Sequence, residues 1–387
     1  MAIAASVLAE DPRTGSRRDL GTLTASWRWA TDRKRDERLL AVLQQVAPGK
    51  ALREGLERIL RASTGALIVL GDSPEVKGVL SGGFPIDVEF TAQRLSELAK
   101  MDGAMVLSAD AGRILFANVH LVPDAAIPTQ ESGTRHRTAE RVAKQTGAPV
   151  VSVSQSMRIV TLYVGGLKYV LEEISSILAR GNQALQTLER YKLRLDEVFG
   201  ALSALEVEDL VTLRDVVAVI QRIEMVRRIA DEIDLYITEL GADGRLLRLL
   251  LDELLAHVED DRMLVAKDYL VARRGVTVSK VLAELDAIST EELLDLPALA
   301  RALNHQPTPE ALEITVSSRG FRLLSKIPRL PGSVIEKLVG HFQSLERLMG
   351  ASLEELDEVE GVGETRAKAI KEGLSRLAEA SILERYV

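Results

Sequence analysis

The chain has 387 residues, which is enough for two or three hydrophobic cores at about 100 to 200 residues per domain. Hydrophobic residues make up 46% of it, but no uninterrupted apolar run approaches the roughly 18 residues of a membrane-spanning helix, so we expect a cytoplasmic protein without a membrane partner. The 57 acidic residues outnumber the 49 Lys and Arg residues and leave a net charge of −8, which argues against indiscriminate nucleic-acid binding and restricts any DNA contact to a local patch.

The missing cysteines narrow the chemistry further. With no Cys, the chain has no disulfide, no thiol nucleophile and no Cys-based metal site. Its five His residues are scattered without ligand-like spacing. Carboxylates with Mg²⁺ or Mn²⁺ are therefore the metal chemistry that we expect.

The N-terminal part divides into an irregular segment and two helices. Residues 1–37 carry short basic pieces and little apolar periodicity, which predicts a flexible, mildly basic extension. From Leu39 to Val46 and from Ala51 to Arg61 apolar residues recur at helical spacing, with Pro48-Gly49 between them. We expect two short helices that pack on the domain that follows.

Residues 38–171 alternate between strand and helix patterns. Glycines bracket the apolar run Gly65 to Gly71, which indicates a buried strand, and Asp110-Ala111-Gly112 predicts the turn of a hairpin. The other predicted strands are Ala104 to Leu107, Arg113 to Val119, Val150 to Val153, Ile159 to Val164 and Lys168 to Leu171, and the predicted helices are Ala92 to Lys100 and Thr138 to Gln145. This interleaving predicts an α/β domain around a mixed central sheet.

The character changes at Glu172, where glycines and prolines thin out and apolar residues recur at helical spacing. Residues 172–310 therefore predict an all-α helical spine, whose Leu and Met stripes form core.

Residues 320–387 contain two similar units, each a glycine turn between helices. In the second, Gly361 and Gly363 allow a tight turn whose amides can bind a phosphate oxygen, and Arg366 and Lys368 add charge nearby. In the first, Gly332 is followed by Ser333-Val334 where a second glycine is expected, so its phosphate contact stays open. The units resemble a tandem helix-hairpin-helix module that binds DNA; a helical packing or dimerisation unit is the alternative.

The densest chemistry lies in Ser132-Gly133-Thr134-Arg135-His136-Arg137-Thr138. Two guanidinium groups flank an imidazole at the start of a predicted helix, and this combination suits a polyphosphate. Thr134 and Thr138 offer hydroxyls and amides to the same phosphates. About thirty residues earlier, Asp102-Gly103-Ala104 places a carboxylate at a strand edge, where it can bind a divalent metal or activate a hydroxyl.

These two motifs, with Leu121-Val122-Pro123-Asp124 between them, resemble the diadenylate cyclase family. The resemblance runs from about residue 45 to the C-terminus. It implies that two ATP molecules condense to cyclic di-AMP with Mg²⁺ or Mn²⁺, that Asp102 ligates the metal, and that Arg135, His136 and Arg137 hold the phosphates. It also implies an adenosine site at Gly103, Leu121 and Ser154.

The resemblance further implies a homo-octamer through face-to-face cyclase domains, and a preference for branched DNA such as Holliday junctions that modulates the cyclase. Two other hypotheses stay open from the sequence. One is a DNA-junction-binding scaffold whose cyclase domain binds nucleotide without turnover, and the other is a nucleotidyltransferase with a different product.

Overall fold

The computed structural model describes residues 37–273 and 275–384. Almost all of the predicted N-terminal extension, residues 1–36, lies outside them. The described chain forms two compact units, one made of the residues up to Asn182 with Asp231–Arg248, and the other of Gln183–Ala230 with the residues from Leu249 onward.

The first unit is built on a mixed β-sheet. Its strands are β1 (Ala66–Leu70), β2 (Leu80–Ser81), β3 (Phe84–Glu89), β4 (Ala104–Leu107), β5 (Arg113–Leu121), β6 (Val150–Val153), β7 (Val160–Val164) and β8 (Leu167–Val170). They run in the order β2-β5-β4-β1-β6-β7-β8, and β3 also pairs with β5. Strands β1 and β4 are parallel, while the other pairs are antiparallel, so the predicted mixed sheet is confirmed.

Helices cover both faces of this sheet. They are α1 (Glu37–Val46), α2 (Ala51–Arg61), α3 (Pro74–Gly78), α4 (Ala92–Leu98) and α5 (Thr134–Thr146). Alternate residues of β1 enter two separate cores, Ile68 with Leu56 of α2 and Leu95 of α4, and Val69 with Val142 of α5. Burial on both sides explains why β1 is a continuous apolar run.

Three elements of this unit escaped the sequence analysis, the first of them the two-residue strand β2. In strand β3, Phe84, Ile86 and Val88 alternate with Pro85, Asp87 and Glu89, but the strand is mostly exposed and contains a proline, which argues against a strand in the sequence. Helix α3 is only one turn long, and its one buried residue is Val76.

The predicted helical region is confirmed. Its helices are α6 (Ile174–Val207), α7 (Leu213–Leu240), α8 (Arg245–Leu254), α9 (Val258–Tyr269), α10 (Val278–Ala287) and α11 (Leu296–Ala302). Helices α6 and α7 each contribute residues to both units. Within the described residues, no helix is apolar over a stretch long enough to cross a bilayer.

The C-terminal part of the second unit is a set of short helices around its own core. They are α12 (Phe321–Ser325), α13 (Gly332–Phe342), α14 (Leu345–Gly350), α15 (Leu353–Asp357) and α16 (Glu364–Glu384). Leu324, Leu338, Leu356 and Ile370 are fully buried and bring four of these helices together. Two tight turns remain at the surface, Ile327–Pro331 before α13 and Val359–Gly363 before α16.

Candidate nucleotide site and nucleic-acid interface

The motif Asp102-Gly103-Ala104 enters β4 at the end of the sheet where β5 leaves it. Ala104 pairs with Val119 of the antiparallel strand β5. Asp102 lies two residues before β4 and Leu121 is the last residue of β5, so both lie at this end of the sheet. Asp102 is exposed and Leu121 is half-buried, so a charged and an apolar side chain stand at one edge.

Strands β1 and β6 bring Ser154 to the same edge. Strand β1 is parallel to β4 and begins at this end, and Ala66 at its start pairs with Val153 at the end of β6. Ser154 follows directly, is almost fully buried, and accepts a hydrogen bond from the amide of Met157 at 3.3 Å. Asp102, Leu121 and Ser154 are far apart in sequence, and the sheet gathers them.

Helix α5 starts at this edge too. Gly133 is its N-cap, Thr134 is its first residue, and its first turn carries no acidic residue, which favours an anion at the free amides. The Arg135 side chain lies against Gly65, the residue before β1: a Cβ at Gly65 would come within 2.8 Å of the guanidinium carbon and overlap one of its nitrogens.

Gly65→Ala therefore tests whether the observed position of the Arg135 guanidinium is needed for activity. The added methyl meets the flexible end of a side chain rather than backbone, so we expect the fold to persist while the guanidinium moves by about an ångström. A shift of that size costs up to about 100-fold in rate when the displaced group aligns the reactants. The measurement is the rate of product formation with the melting temperature as the check on folding. Unchanged turnover would show that this placement of Arg135 is not needed.

Arg137, by contrast, faces its own loop. Its guanidinium donates to the carbonyl oxygen of Ser132 at 3.0 Å and to that of Glu131 at 3.4 Å. Both carbonyls lie just before the helix, so Arg137 holds the approach to α5. These bonds use two of the five guanidinium donors, so the expected contact of Arg137 with phosphate stays a prediction.

His136 is half-buried beside Tyr163 of β7, with the ring centroids 6.5 Å apart in an edge-to-face arrangement. Burial lowers the pKa of His136, and the nearby Glu131 carboxylate opposes the shift. Burial therefore favours the neutral imidazole, which can donate or accept a hydrogen bond. Its Nε2 is buried without a partner among the described residues, so this atom is free for a water or a ligand.

Gly103 is held by a residue that the sequence analysis missed. The amide of Gly103 donates to the side-chain oxygen of Asn118 in β5 at 3.0 Å, and the two backbones touch, leaving no room for a Cβ at Gly103. Asn118 has a left-handed backbone with φ of 53°. Asn adopts a left-handed backbone more readily than most residues. An Asn within a predicted strand is therefore the one signal in the sequence that Asn118 has a special role.

The two C-terminal turns share one backbone feature, a residue with positive φ at the same position before the following helix. Arg329 of the first turn has φ of 62° and Gly361 of the second has φ of 90°, each two residues before the residue that precedes a helix. Pro331 and Gly363 then precede α13 and α16. Gly332 is thus the first residue of α13, and the glycine of the first turn is replaced by an arginine.

The charges of the two turns differ. In the second, Arg366 donates to the carbonyl oxygen of Gly361 at 2.5 Å, and Lys368 pairs with Glu364 at 2.7 Å. Glu360 adds a further carboxylate at the tip, paired with Lys337 at 2.9 Å. In the first turn Arg329 is exposed, and the first turn of α13 contains no acidic residue. The hairpin turn before α13 is therefore more electropositive than the hairpin turn before α16.

Comparison with known proteins finds family matches to three segments of the chain. The family described as "DisA bacterial checkpoint controller nucleotide-binding" matches residues 53–167, "DisA bacterial checkpoint controller linker region" matches residues 171–312, and "Helix-hairpin-helix motif" matches residues 327–382. Of the solved structures, DacA from Staphylococcus aureus is 21% identical with a TM-score of 0.28, over 34% of this chain and 88% of that one.

Full-length relatives are much more similar. The DNA integrity scanning protein DisA of Streptomyces griseus is 63% identical over 350 residues, covering 90% of this chain and 94% of that protein. The DNA integrity scanning protein DisA of Acidothermus cellulolyticus is 62% identical over 360 residues, covering 92% of this chain and 98% of that protein. The chain therefore belongs to the DisA family, as a diadenylate cyclase that carries a helix-hairpin-helix DNA-binding module.

Proposed function

We propose that the sheet edge holding Asp102, Leu121, Arg135 and Ser154 binds one ATP, and that two such edges from two copies of the chain face each other. Each ATP then offers its 3′ hydroxyl oxygen to the α-phosphorus of the other. As each new P–O bond forms, the bond from that phosphorus to the bridging oxygen breaks, and pyrophosphate leaves. Two such steps give cyclic di-AMP, two pyrophosphates and the two protons of the hydroxyls.

The convergence of these side chains at one edge carries the proposal. Asp102 is exposed, so its carboxylate can reach a hydroxyl on an ATP held by the opposite copy. Arg135 and the free amides of the first turn of α5 bind the phosphates and stabilise the charge that develops on the departing pyrophosphate. Leu121 supplies an apolar wall and Ser154 a hydroxyl for the adenosine. Thr134 and Thr138 add donors on either side of Arg135.

The donor set also suits a divalent cation. No three carboxylate or imidazole groups of the described residues come together as a protein-only metal site. A single exposed carboxylate such as Asp102 fits Mg²⁺ or Mn²⁺, because these ions keep several waters and are commonly shared between one or two carboxylates and substrate phosphates. Bound there, the cation would neutralise phosphate charge and lower the pKa of the attacking hydroxyl.

Large apolar side chains surround this edge and favour its pairing with a second copy. Phe84 is 55% exposed, Met101 42%, Val122 63% and Met157 61%. Their positions in β3, before Asp102, after Leu121 and after Ser154 place all of them around the site. Exposed apolar groups around a polar centre are typical of an interface. We extend this pairing to the homo-octamer, in which further contacts join cyclase pairs.

The test is to incubate the purified chain with ATP and Mg²⁺ or Mn²⁺ and to identify the products by mass spectrometry. We expect cyclic di-AMP from the wild type and none from Asp102→Asn. Asp72→Asn is the matched control, because Asp72 is an exposed carboxylate that follows β1 at the opposite end of the sheet. ATP binding without cyclic product would favour the scaffold, and an equal product from GTP would favour a nucleotidyltransferase of broader specificity.

The C-terminal module binds branched DNA and modulates the cyclase in this proposal. Two turns whose amides and cations face outward contact phosphates without reading bases, so they favour backbone shape over sequence. We place the stronger contact at the first hairpin turn, where Arg329 is exposed and the first helical turn of α13 carries no acidic residue. The second turn contributes Gly361 and Gly363, with Arg366 and Lys368 partly committed to the protein. Such a protein works in the cytoplasm, associated with DNA.

Arg329→Ala is expected to weaken binding to a four-way junction more than any single change in the second turn. Loss of one phosphate contact lowers the slope of log K against log salt by about one. Fluorescence anisotropy at several salt concentrations measures both quantities, and cyclase rates with and without the junction report modulation. Arg347→Ala is the control, since Arg347 is exposed on α14 and belongs to neither turn. A larger loss from Lys368→Ala than from Arg329→Ala would contradict this assignment.

A further inference from the structure

The long connection between β5 and α5, residues 122–133, joins two parts of the nucleotide site. It begins directly after Leu121 and ends at the N-cap of the helix that carries Arg135. It has no helix or strand of its own, so something else must hold it. The amides at the start of α5 and the position of Leu121 both depend on the shape of this loop.

The polar face of α5 holds it. Arg141 donates from Nε to the carbonyl oxygen of Ile127 at 2.9 Å. One turn on, the side-chain oxygen of Gln145 accepts from the amide of Asp124 at 2.8 Å. With Arg137, which bonds the carbonyls at the end of the loop, these residues recur every four positions and therefore share one face of the helix.

A neighbouring row on α5 completes the attachment. Glu140 accepts from the hydroxyl of Thr129 at 2.5 Å, and Lys144 donates to the carbonyl oxygen of Pro128 at 2.9 Å. Glu140 and Lys144 also pair with each other at 2.6 Å. At the end of the loop the Glu131 carboxylate pairs with Lys168 of β8 at 2.6 Å. The loop is thus tied to α5 near its start, middle and end.

We propose that Arg141 and Gln145 are positioning residues of the cyclase, which set the entry of α5 and thereby the place of its phosphate-binding turn. Neither residue stands in that turn: Arg141 and Gln145 lie six and ten positions after Arg135. They act by fixing backbone groups of the loop. Their substitution lets the loop leave the helix while the two cores of the unit stay intact.

This inference rests on the proposed cyclase reaction, and the experiment separates the two. Wild type, Arg141→Met, Arg141→Lys and Gln145→Met are compared for kcat and KM with ATP, for melting temperature, and for hydrogen exchange of the amides in residues 122–133. Arg61→Met is the matched control, because Arg61 is 70% exposed on α2 and bonds only within its own helix.

We expect the loop amides to exchange faster in Arg141→Met and in Gln145→Met than in the wild type. In Gln145→Met the largest increase should be at the amide of Asp124. Both variants should lose roughly 10- to 100-fold in kcat per folded molecule. Arg141→Lys keeps one donor toward Ile127 and should recover part of kcat. A purely structural role would lower the melting temperature and the folded fraction while kcat per folded molecule stayed at the wild-type value, and that result would overturn the inference. If Arg141→Met does not fold, Gln145→Met decides on the same criteria.

Wild-type kcat in the same experiment reports on the proposed function. If the wild type makes no cyclic di-AMP, the cyclase proposal fails, whereas the exchange data still show whether α5 holds the loop. If the wild type is active and the loop is released in the variants without loss of kcat, the cyclase proposal stands and the positioning role is wrong.

Discussion

Gly103→Ala is expected to slow cyclic di-AMP formation by roughly 100-fold while the chain still folds. A Cβ at this position would overlap the backbone of Asn118, and it would come within 2.7 Å of the Asn118 side-chain oxygen. Backbone cannot rotate away as a side chain can, so β4 and β5 must separate at the edge where Asp102 and Leu121 stand. Inserting a group into a packed contact of this kind costs about 1 to 3 kcal/mol of stability.

The effect on catalysis should be larger than the effect on stability. The separation displaces the Asp102 carboxylate relative to the attacking hydroxyl, and a misplacement of about 1 Å costs roughly 100-fold in rate. The measurement is product formation from ATP together with thermal unfolding. Gly78→Ala is the matched control, because no atom lies within 4 Å of a Cβ there and its φ is ordinary.

Near-normal turnover of Gly103→Ala would contradict the argument, since it would mean that the backbone contact with Asn118 does not determine the position of Asp102. Loss of activity in both glycine variants would point to a general loss of folding instead.

Arg322→Met is expected to destabilise the second unit by about 3 to 5 kcal/mol, the usual cost of leaving one partner of a buried ion pair without the other. Arg322 of α12 is 1% exposed. It forms an ion pair with the buried Glu206 of α6 and donates to the Ser203 hydroxyl at 3.0 Å. Glu206 also accepts from the Tyr269 hydroxyl at 2.7 Å, which leaves it held by one neutral donor in the variant.

The ion pair of Arg322 and Glu206 lies beside a second buried carboxyl group, that of Asp268. Asp268 of α9 is completely buried, and it accepts hydrogen bonds from the amides of Phe321 and Arg322 at 2.7 and 3.0 Å. Burial, with the Glu206 carboxylate adding to it, raises the pKa of Asp268 to about 7. In Arg322→Met the Glu206 carboxylate would be buried beside the Asp268 carboxyl group without its cationic partner, and both conditions disfavour its charge.

Urea unfolding of the whole chain measures the effect, with Arg347→Met as the control for losing an exposed Arg from the same module. The double variant Arg322→Met with Glu206→Gln should recover most of the loss, because the charge left behind in the single variant is removed. Equal stability of Arg322→Met and wild type would show that this ion pair contributes nothing net. A double variant as unstable as the single one would assign the loss to packing around the Arg322 stem.

Local patterns in the sequence determine much of this protein. The apolar run of β1, the hairpin of β4 and β5 and the helices α1 and α2 were predicted near their observed bounds, because burial on one or both faces leaves a period in the sequence. The helical character after Glu172 was predicted for the same reason. Helix α5 was predicted from Thr138 but begins at Thr134, so the segment with Arg135 and Arg137 forms its first turn. The two motifs around Asp102 and Arg135 were also found from the sequence, because carboxylate, guanidinium and imidazole side chains indicate their chemistry directly.

The tertiary structure decided which of these residues meet. Strand order places β4 and β6 on either side of β1, and only this order brings Asp102 and Ser154 to one edge with Arg135. Periodicity reports which face of a strand is buried, but not which strand lies beside it or in what register.

Close approaches and buried pairs were equally invisible in the sequence. Asn118 supports Gly103 across 15 positions, and Arg322 meets Glu206 across 116. The Arg137 guanidinium is turned to its own loop, and Arg329 stands where the second turn has a glycine. For Asn118 and Arg322 the partner is distant in sequence, and for Arg137 and Arg329 the role depends on the backbone conformation of a loop or turn, which residue types alone do not encode.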